Sequence, residues 1–485
     1  MFGTYKTERD GSKTSGIAVL PGRSHQRLRR IVGPANSFQS ISASLSSSSL
    51  QRRHHPLCSV VVVIVGLAMV TTPEKKVRKS ETLKDRVTEM TQVRESETPE
   101  DRVAEILSRL PPKSLMRFKC IRKSWGTIIN NPSFMAKHLS NSVDNKFSSS
   151  TSILLHRSQM PVFPDRSWKR EYFWSMINLS HDSDEYNLYY DVEDLNIQFP
   201  LEDHDHVSIH GYCNGIVCLI VGKNAVLFNP ATRELKQLPD SCLLLPSPPE
   251  GKFELESTFQ GMGFGYDSKA KEYKVVKIIE NCEYSDDMRT FSHRIALPHT
   301  AEVYVTTTNS WRVIEIEISS DTYNCSCSVY LKGFCYWFAS DDEEYVLSFD
   351  LGDEIFHRIQ LPYRKESGFL FYDLFLYNES ITSFCSHYDN DNSGILEILE
   401  IWVMDDCDGV KSLWTKLLTL GPFKDNENLL TFWKSDELLM VTSDKRVISY
   451  NSSTGNFKYI HIPPIMNKVT DFEALIYVQS IVSVK

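Results

Sequence analysis

The segment GYCNGIVCLIVGKNAVLFNPATRELKQLP, residues 211–239, alternates short apolar runs with polar turns. An apolar strand, a polar turn and a second apolar strand are followed by a turn that begins at Asn229 and a third strand that ends near Pro239. Asparagine and aspartate tolerate the left-handed backbone that such turns need. The segment therefore predicts a small antiparallel meander.

Two further segments repeat this pattern, with turns that begin at Asp350 and Asn451. They are YLKGFCYWFASDDEEYVLSFDLGDEIFHRIQLP (330–362) and DELLMVTSDKRVISYNSSTGNFKYIHIP (436–463), and hairpin-like units also lie at 263–278 and 301–316. Strand meanders repeated at this scale predict a kelch-like β-propeller, so the chain as a whole is expected to be mainly β. At about 45–50 residues per blade, residues 141–485 would hold six or seven blades. A β-sandwich with long insertions is the alternative fold.

The segment that precedes this region, TPEDRVAEILSRLPPKSLMRFKCIRKSWGTIINNPSF at 98–134, has a helical pattern. Apolar residues recur at the spacing of one helical face, at Val103, Ile106, Leu107 and Leu110. We expect Ser114 to cap a second short helix, and a third apolar run ends at Asn131-Pro132. Three helices this short cannot bury all their apolar faces, so one face is predicted to dock on a partner. An ordinary small all-α bundle is the alternative.

The helical segment resembles the F-box, by which substrate receptors of cullin-type ubiquitin ligases bind a SKP-type adaptor. The likeness covers LSRLPPKSLMRFKCIRKSW, residues 107–125, although Thr98 stands where the family usually has a leucine. The resemblance implies a SKP-type adaptor and a cullin scaffold as partners. It places the adaptor-binding positions at Pro99, Ile106, Leu107, Leu110, Pro111, Leu115, Phe118 and Trp125. Cys120 and Ile121, with Phe118 and Trp125, would also hold the three helices together.

The larger region resembles the F-box-associated interaction domain of plants, through GYCNGIVCL, LFNPATRE, GFGYD followed by EYKVV, and FWKSDELLMV. Residues 93–485 as a whole resemble the S-locus F-box proteins of rose-family fruit trees, most clearly in HLSNSVDNKFSSSTSILLHRSQ (138–159) and the C-terminal FEALIYVQSIVSVK. This resemblance implies a non-catalytic ubiquitin-ligase receptor in the cytoplasm of the pollen tube. Such receptors recognise non-self S-ribonucleases in gametophytic self-incompatibility. An F-box receptor for another plant regulatory protein and a propeller hydrolase are the alternative functions.

Charge is distributed unevenly along the chain. Residues 1–89 have a net charge of +9 and residues 93–140 of +4, whereas the whole chain has −9, so residues 141–485 carry −22. So acidic a domain is unsuited to nucleic acid and suits a basic protein such as a ribonuclease. Within 181–206, nine acids and no Lys or Arg accompany aromatic residues. The predicted substrate-binding residues are Tyr189, Tyr190, Asp191, Glu193 and Asp194.

We find no signature of a catalytic, metal or cofactor site. Gly261-Met262-Gly263-Phe264-Gly265 lacks the Lys-Ser/Thr of a phosphate-binding loop, so we interpret it as a strand whose glycines admit a close neighbour. His204, His206 and His210 lie among acids, but no set spacing completes a metal site, and an exposed acidic loop is expected instead. The 11 cysteines show no Cys-x2-Cys double pair and are predicted to be mostly buried, reduced thiols.

The first 92 residues share none of these patterns. Residues 1–56 have the Ser- and Arg-rich composition of disordered or transit-peptide segments. The apolar run at 57–70 is shorter than the roughly 20 residues that span a bilayer, so no membrane association is expected, and an anchor is the alternative. Residues 78–90 repeat 94–106 without its proline, which suggests a decayed motif copy and a mature start at Met90. The predicted domains are an extension at 1–92, an F-box at 93–140 and a propeller at 141–485.

Overall fold

The computed structural model describes the helical segment and most of the β-rich region. It covers residues 99–146, 150–159, 170–181, 188–197, 199, 206–222, 224–241, 243, 255–284, 294–296, 299–316, 328–340, 343–362, 371–391, 394–405, 413–423, 428–463 and 469–484. The predicted extension at 1–92 and His204 lie outside these residues. Within these ranges no helix has both the length and the apolar character needed to cross a membrane.

Four helices occupy residues 99–146, one more than the sequence pattern predicts. They are α1 (Pro99–Leu107), α2 (Pro112–Lys119), α3 (Lys123–Ile129) and α4 (Pro132–Lys146). The third helix ends before Asn131-Pro132, as predicted, but these two residues also begin α4. Asn131 Oδ1 accepts hydrogen bonds from Ser133 N (2.9 Å) and Ser133 Oγ (2.7 Å), and Pro132 fits the first helical turn. Ser114 lies inside α2 and is not its N-cap, a position that Pro111 takes.

Helix α4 completes a small core with the three helices before it. The buried apolar side chains are Val103, Leu107, Leu115, Phe118, Ile129 and Phe134. His138 on α4 is also buried, with its Nε2 3.0 Å from the carbonyl oxygen of Leu110. Asn141 Nδ2 donates to the carbonyl of Ser108 at 3.2 Å. Two side chains of helix α4 therefore form hydrogen bonds with the carbonyl groups of Ser108 and Leu110, which lie just beyond α1, where backbone groups lack partners within the helix.

The rest of the described chain is built from 25 strands. In chain order they are β1 (Ser150–Gln159), β2 (Glu171–His181), β3 (Leu188–Leu195), β4 (Val207–Cys213), β5 (Ile216–Val221), β6 (Asn224–Asn229), β7 (Glu234–Gln237), β8 (Leu255–Asp267), β9 (Glu272–Tyr284), β10 (Arg294–Ala296), β11 (Thr300–Val305), β12 (Ser310–Ile314), β13 (Val329–Leu331), β14 (Phe334–Ser340), β15 (Glu344–Asp350), β16 (Ile355–Gln360), β17 (Phe371–Tyr377), β18 (Ser380–Asp391), β19 (Gly394–Asp405), β20 (Leu413–Phe423), β21 (Asn428–Phe432), β22 (Glu437–Val441), β23 (Val447–Asn451), β24 (Phe457–Ile460) and β25 (Val469–Ile476).

These strands form six antiparallel sheets, the blades of a β-propeller. Blades 2, 4, 5 and 6 contain β4–β7, β13–β16, β17–β20 and β21–β24, each in chain order. Blade 3 contains β8, β9, β11 and β12, with the short β10 also paired to β9. Blade 1 has the order β25-β1-β2-β3. The first strands of successive blades contact one another, so they surround the propeller axis, and apolar clusters fill the spaces between blades.

Blade 1 is completed by a strand from the opposite end of the chain. Strand β25 pairs with β1 along registers from Ile153↔Ile476 to Gln159↔Val469. The residues that follow, 477–484, are here called the C-terminal tail, and they fasten blade 1 to blade 2. Tyr477 Oη lies 3.2 Å from the carbonyl oxygen of Gly215, and Asn229 Nδ2 donates to that of Ser480 at 3.1 Å. The sequence pattern gave no sign of this closure.

The turns led by Asn or Asp recur as predicted and share one geometry. Oδ1 of Asn229, Asp350 and Asn451 accepts hydrogen bonds from backbone N–H groups two and three residues ahead, at 2.7–3.3 Å. Asp267 does the same in blade 3. The residue four positions later has a positive φ each time, at Arg233, Lys271, Glu354 and Gly455. In an antiparallel blade, the turn from the first to the second strand and the turn from the third to the fourth strand lie at the same end. All four turns lie at this end of the ring, here called the turn face.

The glycines of β8 admit a close neighbour, as predicted. A Cβ atom at Gly263 would lie 2.5 Å from Cζ2 of Trp337, and one at Gly265 would overlap the ring of Tyr330. Trp337 is fully buried, and its Nε1 donates to the carbonyl of Met262 at 3.1 Å. The glycine-rich stretch is therefore the innermost strand of blade 3, against which the aromatic residues of blade 4 pack.

Candidate protein-interaction sites

The helical segment presents apolar side chains beside its small core. Ile121, in the turn between α2 and α3, is 49% exposed, and Pro111 is exposed before α2. Ile106, Leu110 and Trp125 are half-buried. The ring of Trp125 meets that of Phe118 edge-on, with centroids 5.5 Å apart, which fixes the tryptophan at the border of the core. This surface, here called the helical apolar surface, comprises Ile106, Leu110, Pro111, Ile121 and Trp125.

Three of the predicted adaptor-binding residues lie inside the core instead. Leu107, Leu115 and Phe118 are 1%, 0% and 7% exposed. Side chains this deeply buried support the helical apolar surface from beneath, and a direct contact of these residues with the adaptor stays a prediction. Pro99 begins α1, and its role at the adaptor stays a prediction.

The acidic strand β3 is the outer edge of blade 1, beside the helical segment. Tyr189 is 53% exposed, and Asp191 and Glu193 are exposed on the same side of the strand, as their alternate positions require. Glu193 Oε1 forms a salt bridge at 2.9 Å with Lys113 Nζ on α2. Part of the predicted substrate surface therefore already contacts the helical segment, although the side chains of Glu193 and Asp194 are still 48% and 55% exposed.

Tyr190 points the other way and joins two blades. Its hydroxyl lies 3.0 Å from Nδ1 of His461, which follows the outermost strand of blade 6, and accepts a hydrogen bond from the backbone N–H of His461 at 3.2 Å. Trp311 and Trp414 make similar bridges, because their Nε1 atoms donate at 2.8 Å to the carbonyls of Pro239 and Gln360 on the preceding blade. The hydroxyl of Tyr190 therefore joins two blades, and the assignment of this residue to substrate binding stays a prediction.

Asp194 also has a structural partner that the sequence pattern did not reveal. Its Oδ1 accepts a hydrogen bond from Ser175 Oγ at 2.8 Å and lies 3.9 Å from Nη2 of Arg157. Arg157 is buried, and its Nη1 donates to the carbonyl of Pro463 at 3.1 Å. Burial lowers the pKa of Arg157, an effect that the negative charge of Asp194 opposes. Asp194 thus compensates a buried cation while its side chain stays 55% exposed, and its role in substrate contact stays a prediction.

A family model described as "F-box associated beta propeller domain" matches residues 168–484, about two thirds of the chain. The chain belongs to this family. The match includes every described strand of blades 2–6 and three of the four strands of blade 1, so the F-box-associated propeller coincides with the ring seen in the structure.

Curated relatives of this F-box-associated propeller protein carry F-box names. A putative F-box protein of Arabidopsis thaliana is 25% identical, with 76% of this chain and 89% of the relative covered. An F-box/kelch-repeat protein of the same plant is 26% identical, with 78% and 93% covered. The F-box protein CPR1 of A. thaliana is 25% identical over 65% of this chain and 71% of its own. The first two alignments cover more of the chain than the propeller match does, so the likeness extends beyond the propeller.

The titratable side chains of this propeller mostly have structural partners. His210 on the innermost strand β4 has its Nε2 2.7 Å from Ser208 Oγ, and burial lowers its pKa to about 4. His156 Nδ1 lies 2.8 Å from Glu473 Oε2, which joins β1 to β25. Among the residues that the structure covers, no three His, Cys, Asp or Glu side chains are grouped to hold a metal ion.

Five cysteines are free thiols, and four of them are buried: Cys120 is exposed, and Cys213, Cys218, Cys335 and Cys385 are buried. Burial raises the pKa of Cys385 to about 12, and burial also raises the pKa values of Cys213 and Cys218. Because the thiolate is the reactive form, these buried thiols are poor nucleophiles at neutral pH.

Proposed function

We propose that this protein is the substrate-recognition subunit of a cullin-type ubiquitin ligase. In this proposal the helical segment binds a SKP-type adaptor, which joins the protein to a cullin scaffold, and the propeller binds the substrate. The protein itself is then non-catalytic and raises the effective concentration of substrate near the transfer machinery. The observation that carries the proposal is one chain with a helical apolar surface next to a propeller of the F-box-associated family.

Binding of purified SKP-type adaptor to variants of the full chain tests the first part. Ile121→Asp places a charge at an exposed apolar residue of the helical apolar surface, so we expect adaptor affinity to fall at least tenfold, equivalent to about 1.4 kcal/mol. Val143→Asp is the matched control, because Val143 is also an exposed apolar residue of the helical segment, at 37%, but lies on α4. Equal loss of affinity in both variants, or in neither, would contradict the proposal.

For the substrate, we propose a basic S-ribonuclease, recognised in the cytoplasm of the pollen tube as part of gametophytic self-incompatibility. The net charge of −22 over residues 141–485 supports a basic partner. Tyr189 supports a strong local contact, because exposed aromatic residues are frequent anchors at protein interfaces. Asp191 on the same side of β3 supplies charge beside it.

Association and dissociation rate constants measured against a panel of S-ribonuclease variants, at two salt concentrations, test this part. Asp191→Lys should slow association and flatten its salt dependence, because charge acts mainly on the encounter step. Asp240→Lys is the control, since Asp240 is an exposed acid beyond the end of β7 in blade 2. Tyr189→Ala should act mainly on dissociation.

If no ribonuclease of the panel binds while a different regulatory protein does, the substrate proposal fails and the receptor proposal stands. A propeller hydrolase would instead show activity on a glycan or ester that survives Ile121→Asp.

A further inference from the structure

A cavity of about 260 Å³ opens on the turn face between blades 2 and 3. Its lining includes Ile216 and Leu227 of blade 2 and Val484 of the C-terminal tail, which are 1%, 1% and 4% exposed. These three side chains form a buried apolar wall. The volume is near the lower end of the range for small-ligand sites, about 300 Å³.

Two lysines complete this lining. Lys236 lies on the outermost strand of blade 2, with its Nζ 5.8 Å from the ring centroid of Tyr304, and Lys271 lies in the first turn of blade 3. Within the part of the chain that the structure covers, neither lysine forms a salt bridge, whereas Lys269 and Lys274 of the same turn region are paired with Asp353 and Asp267.

The other polar groups of the cavity are already engaged. Thr306 Oγ1 donates to the carbonyl of Tyr273 at 3.0 Å and accepts from its backbone N–H at 3.2 Å. The hydroxyl of Thr307 donates to the carboxylate of Glu272. The ammonium groups of Lys236 and Lys271 are therefore the donors best placed to meet a ligand. They outnumber the one carboxylate of the lining, Glu272, so the polar side of the cavity has a net positive charge.

We propose that this cavity binds a carboxylate that is attached to a branched apolar group. The carboxylate pairs with Lys236 and Lys271, and the apolar group packs against Ile216, Leu227 and Val484. A charged group and an apolar group on one small ligand match the two sides of the lining. Either a protein segment with such an end or a free small acid supplies this chemistry. The site lies on the propeller, so its test does not depend on adaptor binding.

Calorimetric titration of the full chain with N-acetyl-L-leucine and with N-acetyl-L-leucinamide isolates the charge. The acid has about a dozen non-hydrogen atoms, for which a dissociation constant of about 1 mM or tighter is expected. The amide has the same shape without the charge, so it should bind at least tenfold more weakly. Added NaCl should weaken the binding of the acid but not that of the amide. Equal binding of acid and amide, or no binding of the acid at about 10 mM, would overturn the proposal.

Variants then locate the site. Lys236→Gln with Lys271→Gln should raise the dissociation constant of N-acetyl-L-leucine at least tenfold. Lys332→Gln should leave the affinity unchanged, because Lys332 is also an exposed turn lysine with positive φ but belongs to blade 4. Ser483→Trp, at the exposed edge of the cavity, should abolish binding of both compounds by filling it. An equal effect of Lys332→Gln would mean general surface charge and would overturn the proposal.

A peptide that ends in leucine with a free carboxyl group distinguishes the two sources. Tighter binding of this peptide than of N-acetyl-L-leucine supports a protein segment as the natural occupant. Equal binding supports a small free acid, because the residues preceding the leucine then add no contact. Failure of the peptide to bind while the acid binds also supports the small acid.

Discussion

The helical segment and the propeller bury their apolar residues in different ways. Each blade has neighbours on both sides, so residues such as Trp337 and Leu347 are enclosed completely between two sheets. The four helices have one shared core, and residues at its border, such as Leu110 and Trp125, stay half-buried. Their charges also differ, at +4 for residues 93–140 and −22 for 141–485. The comparison teaches that the propeller encloses its apolar clusters between neighbouring sheets, whereas the core of the helical segment leaves apolar side chains half-covered at its border.

Removal of residues 469–485 is expected to have the largest effect. It deletes the innermost strand of blade 1 and the C-terminal tail, so β1 loses its pairing and blade 1 loses its fastening to blade 2. We expect the cooperative unfolding transition of the propeller to disappear in calorimetry, while adaptor pull-down by the helical segment persists. Removal of residues 1–89 is the control and should change neither readout. Loss of adaptor binding together with the transition would show that the two regions fold as one unit.

Trp337→Ala tests whether the propeller core can be destabilised without effect on the helical segment. Truncation of a fully buried tryptophan should cost about 3–5 kcal/mol, and the Nε1 hydrogen bond to Met262 is lost as well. The midpoint of propeller unfolding in urea should fall, with adaptor affinity unchanged. Phe118→Ala in the helical core is the counterpart and should instead lower adaptor affinity, by unfolding the support of the helical apolar surface. A reversed pattern would contradict the division of the chain into two cores.

The pH dependence of unfolding should report on a buried histidine of the propeller core. Because burial lowers the folded-state pKa of His210 to about 4, the unfolded chain binds a proton below about pH 6.5 and the folded chain does not. This group alone should reduce propeller stability by about 3 kcal/mol as the pH falls from 6.5 to 4. His210→Gln should flatten that dependence in urea unfolding series. His357→Gln on β16 is the control and should leave the pH dependence of unfolding unchanged.

The smallest expected effect concerns the contact between the two regions. Lys113 and Glu193 are both about half-exposed, so their salt bridge should contribute no more than about 1 kcal/mol. Lys113→Glu should reduce stability slightly, and adding Glu193→Lys should restore it, as a double-mutant cycle in low salt can measure. Equal stability of all four variants would mean that this pair does not couple the regions.

Local features of the fold could be predicted from the sequence, and contacts across the ring could not. The turns at Asn229, Asp350 and Asn451 depend on residues two to four positions apart, so their pattern is visible in the chain. The role of Tyr190 depends on His461, which is distant in sequence and becomes a neighbour only after the ring closes. Blade 1 combines strands at 150–195 with one at 469–476, so it gives no continuous repeat to count, and the sequence pattern predicts six or seven blades without deciding between them.

The candidate adaptor site was partly predictable for a similar reason. Helical periodicity identifies an apolar face, but it does not say which side chains are covered by another helix of the same segment. Helix α4 was not anticipated, and it supplies Phe134 and His138 to the core. Leu107 and Leu115 therefore lie inside, while Leu110 and Trp125 remain at the border.

Because blade 1 combines strands from distant parts of the chain, its completion is delayed during synthesis. Strand β3 ends at residue 195 and β25 begins at residue 469, so about 270 residues must be added before blade 1 can be completed. At about 5–20 residues per second, the ribosome needs roughly 15 to 55 s for this stretch. Throughout that interval the inner edge of β1 has no partner, and an open strand edge readily pairs with other chains. A nascent chain of this protein therefore exposes that edge until its last strand emerges, and a product truncated before β25 lacks the strand that covers it.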